Sequence, residues 1–123
     1  MNDIERMRAE TRADLLKAMA HPTRIFLVDV IERKGAHSVQ ELTDLVGADM
    51  STVSRHLRLL REAGILTDER QGTTVRYRLG CDCIHEFMSG MEALLRARQK
   101  REMAAYSAKL MTPQLPAGDA RSV

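Results

Sequence analysis

Two short amphipathic segments lie end to end in this chain, residues 38–47 (SVQELTDLVG) and 49–64 (DMSTVSRHLRLLREAG), with only Ala48 between them. Each carries its own start and stop. Ser38 followed by Glu41 is a capping box, in which side chains and backbone N–H groups satisfy one another. Asp49 supplies the N-cap of the second segment, and Gly47 and Gly64 end the two. Val39, Leu42, Leu45 and Val46 share one side of the first segment, and Val53, Leu57 and Leu60 one side of the second. Helices this short are not stable alone. Two of them joined by a glycine-containing turn form the helix-turn-helix pattern, which buries both stripes together.

The flanks complete an architecture. Residues 65–70 (ILTDER) and 74–79 (TVRYRL) have strand character around the turn Gln71-Gly72-Thr73. In the second run Val75, Tyr77 and Leu79 alternate with Arg76 and Arg78, giving a half-buried strand with a basic outer face. A hairpin directly after a helix-turn-helix is a wing. Upstream, Asn2 and Glu5 form a capping box and open a first helix that ends near His21-Pro22. Pro22 suits the first position of a second helix, TRIFLVDVIERK, which is apolar on most sides and stops at Gly35. Downstream, Ile84, Phe87, Met88, Met91, Leu94 and Leu95 recur at helical spacing in a helix running to about Met111. The expected fold is mainly α, a winged helix-turn-helix of about five helices and two strands over residues 1–111. Residues 112–123, with Pro113, Pro116 and Gly118, read as a disordered tail. Ile84, Phe87, Met88, Met91 and Leu95 offer more apolar surface than one such domain uses. They are expected to pack with Ile4, Leu15 and Met19 in a two-fold interface.

The second short helix has an outward face of small hydroxyls and arginines: Ser51, Arg55 and Arg58 opposite Val53, with Thr52 and Ser54 on the flanks. That face suits a DNA major groove, where arginine grips guanine edges and hydroxyls take phosphates or base edges. The plainer reading is the solvated side of an amphipathic helix. The basic hairpin, with Arg70, Arg76 and Arg78, favours the groove. The wheel puts His56 near the inward edge, so a half-buried histidine is at least as good a reading as a base contact. Arg greatly outnumbers Lys, in keeping with bidentate recognition of phosphates and guanine.

The stretches STVSRHLRLLREAGIL, RQGTTVRYRL, AMAHPTRIFLV and ELTDLVG resemble the winged helix-turn-helix repressors of the ArsR/SmtB family, over roughly residues 10–95 and without large gaps. The resemblance implies a homodimer built on the first and last helices. It also implies binding to an inverted-repeat operator in double-stranded DNA and release by an inducer. The family's DNA contacts would fall on Ser51, Thr52, Ser54 and Arg55, with Arg76 in the wing. Met50 departs from the pattern where many members have Gln. The family's thiolate site on the third helix has no counterpart, since Thr43 and Asp44 stand there. A zinc site on the last helix is not supported by the single His85.

That leaves Cys81 and Cys83, the chain's two cysteines. In an extended segment residues i and i+2 point to the same side, whereas on a helix they diverge by about 200°. They follow a strand and precede a helix start, so an extended or turn conformation is expected, and the helix N-terminus favours the thiolate. Two soft thiolates suit As(III), Sb(III) or another thiophilic ion as inducer. Inorganic As(III) prefers three thiolates, and a mono-substituted arsenical needs two. His85 or Asp82 would complete a Zn(II) or Cd(II) site. Two buried small residues, or a thiol redox sensor, are the alternatives. So close a disulfide would close almost no loop and is not expected as a structural staple. The N-terminus lacks an apolar signal core and no run is long enough to span a bilayer, so the chain is expected in the cytoplasm with no membrane partner. No required cofactor is expected. No phosphate loop, HExxH or paired-carboxylate pattern points to an enzyme. A protein-docking module is the alternative of another class.

Overall fold

The computed structural model describes residues 1–111, so the expected tail at 112–123 lies outside the described residues. The elements run α1 (Asp3–Met19), α2 (Pro22–Lys34), β1 (His37–Ser38), α3 (Val39–Val46), α4 (Met50–Glu62), β2 (Leu66–Gln71), β3 (Thr74–Leu79) and α5 (Cys83–Met111). Backbone chemistry sets most of these boundaries. Both capping boxes are present: Glu5 N–H donates to Asn2 Oδ1 at 2.8 Å and Glu41 N–H to Ser38 Oγ at 3.1 Å, each glutamate returning to the cap backbone. Pro22 sits in the first turn of α2, where its missing N–H costs nothing. At the end of α3, Gly47 takes φ 76°, a left-handed conformation strained for any residue with a Cβ.

The sheet has three antiparallel strands in the order β1-β3-β2, one more than the sequence suggested. β1 is two residues long, His37 facing Tyr77 and Ser38 facing Arg76. So short a strand has no periodicity to read. The wing hairpin pairs Leu66 with Leu79 through Gln71 with Thr74.

The core is aliphatic. Leu27, Val28 and Ile31 of α2, Leu42 of α3, Val53, Leu57 and Leu60 of α4, and Ile65 and Leu66 are all nearly or wholly removed from solvent. The chain divides into two compact units, one spanning Met1–Met88 and one beginning at Ser89, where the sequence suggested a single domain. The first contains the helix-turn-helix, the sheet and the first turns of α5. The described part of the second is helical throughout.

Candidate functional site

The inner face of α4 fixes its outer one. Val53, Leu57 and Leu60 are 0% exposed, which leaves Ser51, Arg55 and Arg58 in solvent and Thr52 and Ser54 half-buried. Asp49 caps the helix. Its carboxylate accepts from Thr52 N–H at 3.1 Å, from the Thr52 hydroxyl at 2.7 Å and from the Ser51 hydroxyl. These bonds, that of Ser51 first, hold the Asp49 carboxyl down to about 2. The cap corrects part of the sequence reading. Ser51 and Thr52 spend their hydroxyl protons on Asp49, so they retain acceptor capacity but no proton for a phosphate. Arg58 lies 3.8 Å from Glu62. Among the described residues, no ion pair or side-chain hydrogen bond engages Arg55 or Ser54, which leaves that guanidinium open to a partner.

Arg76 is also placed differently from its expected role. Strand alternation put it on the outer face of the wing. In the structure it is half-buried, because β1 lies beside it: its Nη2 donates to the Ala36 carbonyl at 2.8 Å and its Nη1 pairs with Glu41 at 3.3 Å. Arg76 therefore ties β3 to the cap of α3. Glu41 is held low by the Ser38 bonds first and by the Arg76 charge among the lesser causes. Arg78 faces Glu69 at 3.8 Å. The exposed wing cation without an ion pair among the described residues is Arg70.

A histidine pair behind α4 was not foreseen. His56 is 8% exposed, and its ring lies 4.5 Å from that of His21, centroid to centroid. His21 Nδ1 caps α2 by accepting from Thr23 N–H at 3.1 Å. His56 Nδ1 and the nearby Arg24 Nε are buried with no hydrogen-bond partner among the described residues. Burial, then the charges of His21, Arg24 and Arg55, push His56 below its ordinary value. The helical wheel placed His56 near the inward edge, but nothing local signals its contact with His21.

The two cysteines stand where β3 hands over to α5. They are joined as a disulfide, with their Cα atoms 5.1 Å apart. The expected same-side arrangement of the sulfurs is therefore realised, and the expectation of separate thiols is replaced by a bonded pair. Cys83 N–H, at the first position of α5, donates to Cys81 Sγ at 3.0 Å. The other two candidate ligands do not join them. His85 Nδ1 bonds the mostly buried carboxylate of Glu32 on α2, and Asp82 is exposed. Among the described residues, no three His, Cys, Asp or Glu side chains are grouped to hold a metal ion. Just upstream, Gly80 N–H donates to the Ile65 carbonyl at 2.9 Å. A methyl group on Gly80 would overlap the Gly64 carbonyl, so only glycine permits this approach between the wing and the end of α4.

The candidate interface residues separate into two groups. Met19 and Met88 are buried within the single chain, which removes them from a surface. Leu15 and Phe87 remain about two-fifths exposed, and Ile84 is half-buried. These three, with Met19, Ile65 and Cys83, line an apolar cavity of about 220 Å³. On the later part of α5, Leu95 is exposed and Met91 half-buried, and Leu94, Met103, Tyr106 and Leu110 are exposed as well. No helix among the described residues is long and apolar enough to cross a membrane.

Comparison with known proteins agrees with this geometry. A helix-turn-helix domain model matches residues 19–69. The chain is 33% identical over 99 residues to a biofilm growth-associated repressor of Xylella fastidiosa, covering 80% of this chain and 85% of that protein. It is 45% identical over 65 residues to an arsenic resistance transcriptional regulator of Pseudomonas putida, covering 53% of this chain and 51% of the other. The chain spans about half the length of that relative and of the SmtB repressors of Mycobacterium tuberculosis that it also matches. The solution structure of a homodimeric winged helix-turn-helix domain from Mycobacterium bovis, described as a possible ArsR-family regulator, superposes with a TM-score of 0.71. At 21% identity it covers 78% of this chain and 88% of that one and shows the shared fold. The chain belongs to the ArsR/SmtB family of winged helix-turn-helix transcriptional regulators.

Proposed function

We propose that this chain is a homodimeric transcriptional repressor that binds an inverted-repeat DNA operator and is released when a thiophilic species engages Cys81 and Cys83. The single observation that carries the reading is the position of the dithiol. It sits between the wing and α5, and the residue before it, Gly80, is hydrogen-bonded to Ile65, three residues beyond the end of α4. Arg55, exposed on α4 and without an ion pair among the described residues, is the cation suited to a guanine edge. The exposed side chains of α1 and α5 supply an apolar surface for a second copy. A relative named for arsenic resistance supports a metalloid inducer. So does the nearness of the two sulfurs, a pair that on reduction suits As(III) or Sb(III) better than a four-ligand Zn(II) site. With two cysteine thiols per chain, a species bound by three must take its third ligand from outside this pair.

The disulfide favours a second reading, in which oxidation of the pair is itself the signal. Thiol oxidation and metalloid binding use the same two atoms but differ in reagent. The deciding experiment is operator release, followed by fluorescence anisotropy, for reduced protein given arsenite or a peroxide. For the first reading arsenite releases the DNA, and the Cys81→Ser, Cys83→Ser double variant binds DNA normally but ignores arsenite. Response to peroxide alone selects the second. Normal release of the double variant by arsenite removes the first reading, and normal release of that variant by peroxide removes the second.

A further inference from the structure

We infer that the distal part of α5 is a second DNA-contacting element, in which Arg96, Lys100 and Arg101 neutralise backbone phosphates of a duplex held by the winged unit. This rests on the DNA binding proposed above and adds to it a site outside α4 and the wing. The distribution of charge points there first. Over Met1–Met88, the unit that contains the helix-turn-helix and the wing, 13 Lys and Arg stand against 14 Asp and Glu. Over residues 89–111 the count is five against two. The unit with the groove-reading helix therefore has no positive excess, and the chain's net charge of +2 comes from a helix beyond it. General affinity for duplex DNA is drawn from cations that displace counterions from phosphates.

Within that helix the excess is concentrated at residues 96–101 (RARQKR), where Arg96, Arg98, Lys100 and Arg101 are all exposed. Arg98 lies 3.7 Å from Glu102. Among the described residues, no ion pair or side-chain hydrogen bond engages Arg96, Lys100 or Arg101. Arg96 and Lys100 share one side of the helix, and Arg98 and Arg101 another, so like charges stand beside each other. An anion lying along either row relieves that repulsion. What the segment lacks decides the class of partner. A helix that lies on a membrane presents an apolar face beside its cations. Between Leu95 and Met103 the residues other than the four cations are Ala97, Gln99 and Glu102, which offer no such face. Cations on several sides without an apolar anchor suit a surface of repeated phosphates. Tethering favours DNA over an acidic protein. The covalent chain allows at most about 28 Å between Met88 and Arg96, so a duplex engaged by the winged unit meets these cations at high effective concentration.

The test uses the full chain and a long random-sequence DNA duplex, with affinity followed by fluorescence anisotropy from low to high salt. Each cation that neutralises a phosphate adds about 0.9 to the slope of log affinity against log salt. The Arg96→Gln, Lys100→Gln, Arg101→Gln triple variant is expected to lose about two to three units of that slope, and each single variant about a third of the loss. The charge-keeping variant Arg96→Lys, Lys100→Arg, Arg101→Lys is expected to retain the slope. An unchanged slope in the triple glutamine variant would overturn the inference and leave the DNA reading standing. A triple variant that sediments at half the mass of the unmutated protein, beside single variants with full slopes, would assign the cations to assembly instead. An unchanged DNA slope with lost binding to phosphatidylserine vesicles would give them to a membrane surface. Unmutated protein that binds no duplex even at low salt would sink the DNA reading and this inference with it.

Discussion

The apolar residues of α4 and of α5 meet different fates. In α4, a 13-residue helix, Val53, Leu57 and Leu60 are wholly withdrawn into the core. In α5, a 29-residue helix, Met88 is the buried residue, while Phe87, Leu94, Leu95 and Leu110 stay in solvent. The contrast separates two uses of a hydrophobic side chain. The first orients a helix so that its polar face is presented at a fixed angle. The second leaves an apolar surface in solvent. A helix of the first kind is stabilised by its own domain; if the chain is the proposed dimer, one of the second kind is stabilised by association, and its stability then depends on concentration.

The largest expected effect tests that division directly. Leu57→Ala empties a fully buried site and should cost about 2–5 kcal/mol in chemical denaturation, whatever the protein concentration. Leu95→Ala should cost little in dilute protein and more as concentration rises. Equal, concentration-independent losses for both would erase the contrast. Next comes the comparison between two arginines. Arg55→Ala should weaken specific operator binding by about 1–3 kcal/mol and leave thermal stability alone. Arg76→Ala should do the reverse, lowering stability because the Ala36 carbonyl and Glu41 lose their partner, with a change in DNA salt dependence smaller than one phosphate contact. A full unit lost from the salt slope would return Arg76 to the DNA surface.

The smallest effect concerns pH. The folded His56 lies below its ordinary value of 6.5, so the unfolded chain takes up this proton first as pH falls. The stability contributed by neutral His56 is thus fully present above about pH 6.5 and is lost as pH falls from there through the folded value. Denaturation of the His56→Gln variant at several pH values checks this. Its stability should fall less steeply across that window, and a slope identical to that of the unmutated protein would count against the buried pair.

What the sequence discloses follows the range of the interactions involved. Capping boxes, the Pro22 start, the Gly47 stop and the alternation in β3 act over a few residues, and all are legible. β1 is not, because two residues carry no pattern, and its pairing with β3 brings the Ala36 carbonyl and Glu41 to Arg76. The alternation that correctly turns Tyr77 inward assigns Arg76 to the outside only if no strand flanks β3. Ser51 and Thr52 show a related limit. Their types fit a nucleic-acid surface, but the Asp49 cap, two and three residues away, competes for the same protons. The contact between His21 and His56 depends on how α2 packs on α4, and no local spacing reports it. The cysteine pair was legible as two sulfurs on one side, although the structure achieves this in the turn that opens α5 and not in a strand. The cavity beside it depends on three elements meeting and was not.

The Asp49 cap has one more consequence. With its carboxyl held near 2, the tip of α4 carries a fixed negative charge at every pH at which the protein would meet DNA. Such a charge repels a phosphate backbone wherever the helix approaches one, cognate or not, so it subtracts from general attraction. If Arg55, about one and a half turns into the helix, grips a base as proposed, it regains affinity only where a base edge fits its fork. A repressor built this way would spend less time on the wrong stretches of a chromosome, gaining discrimination by binding everything else less well.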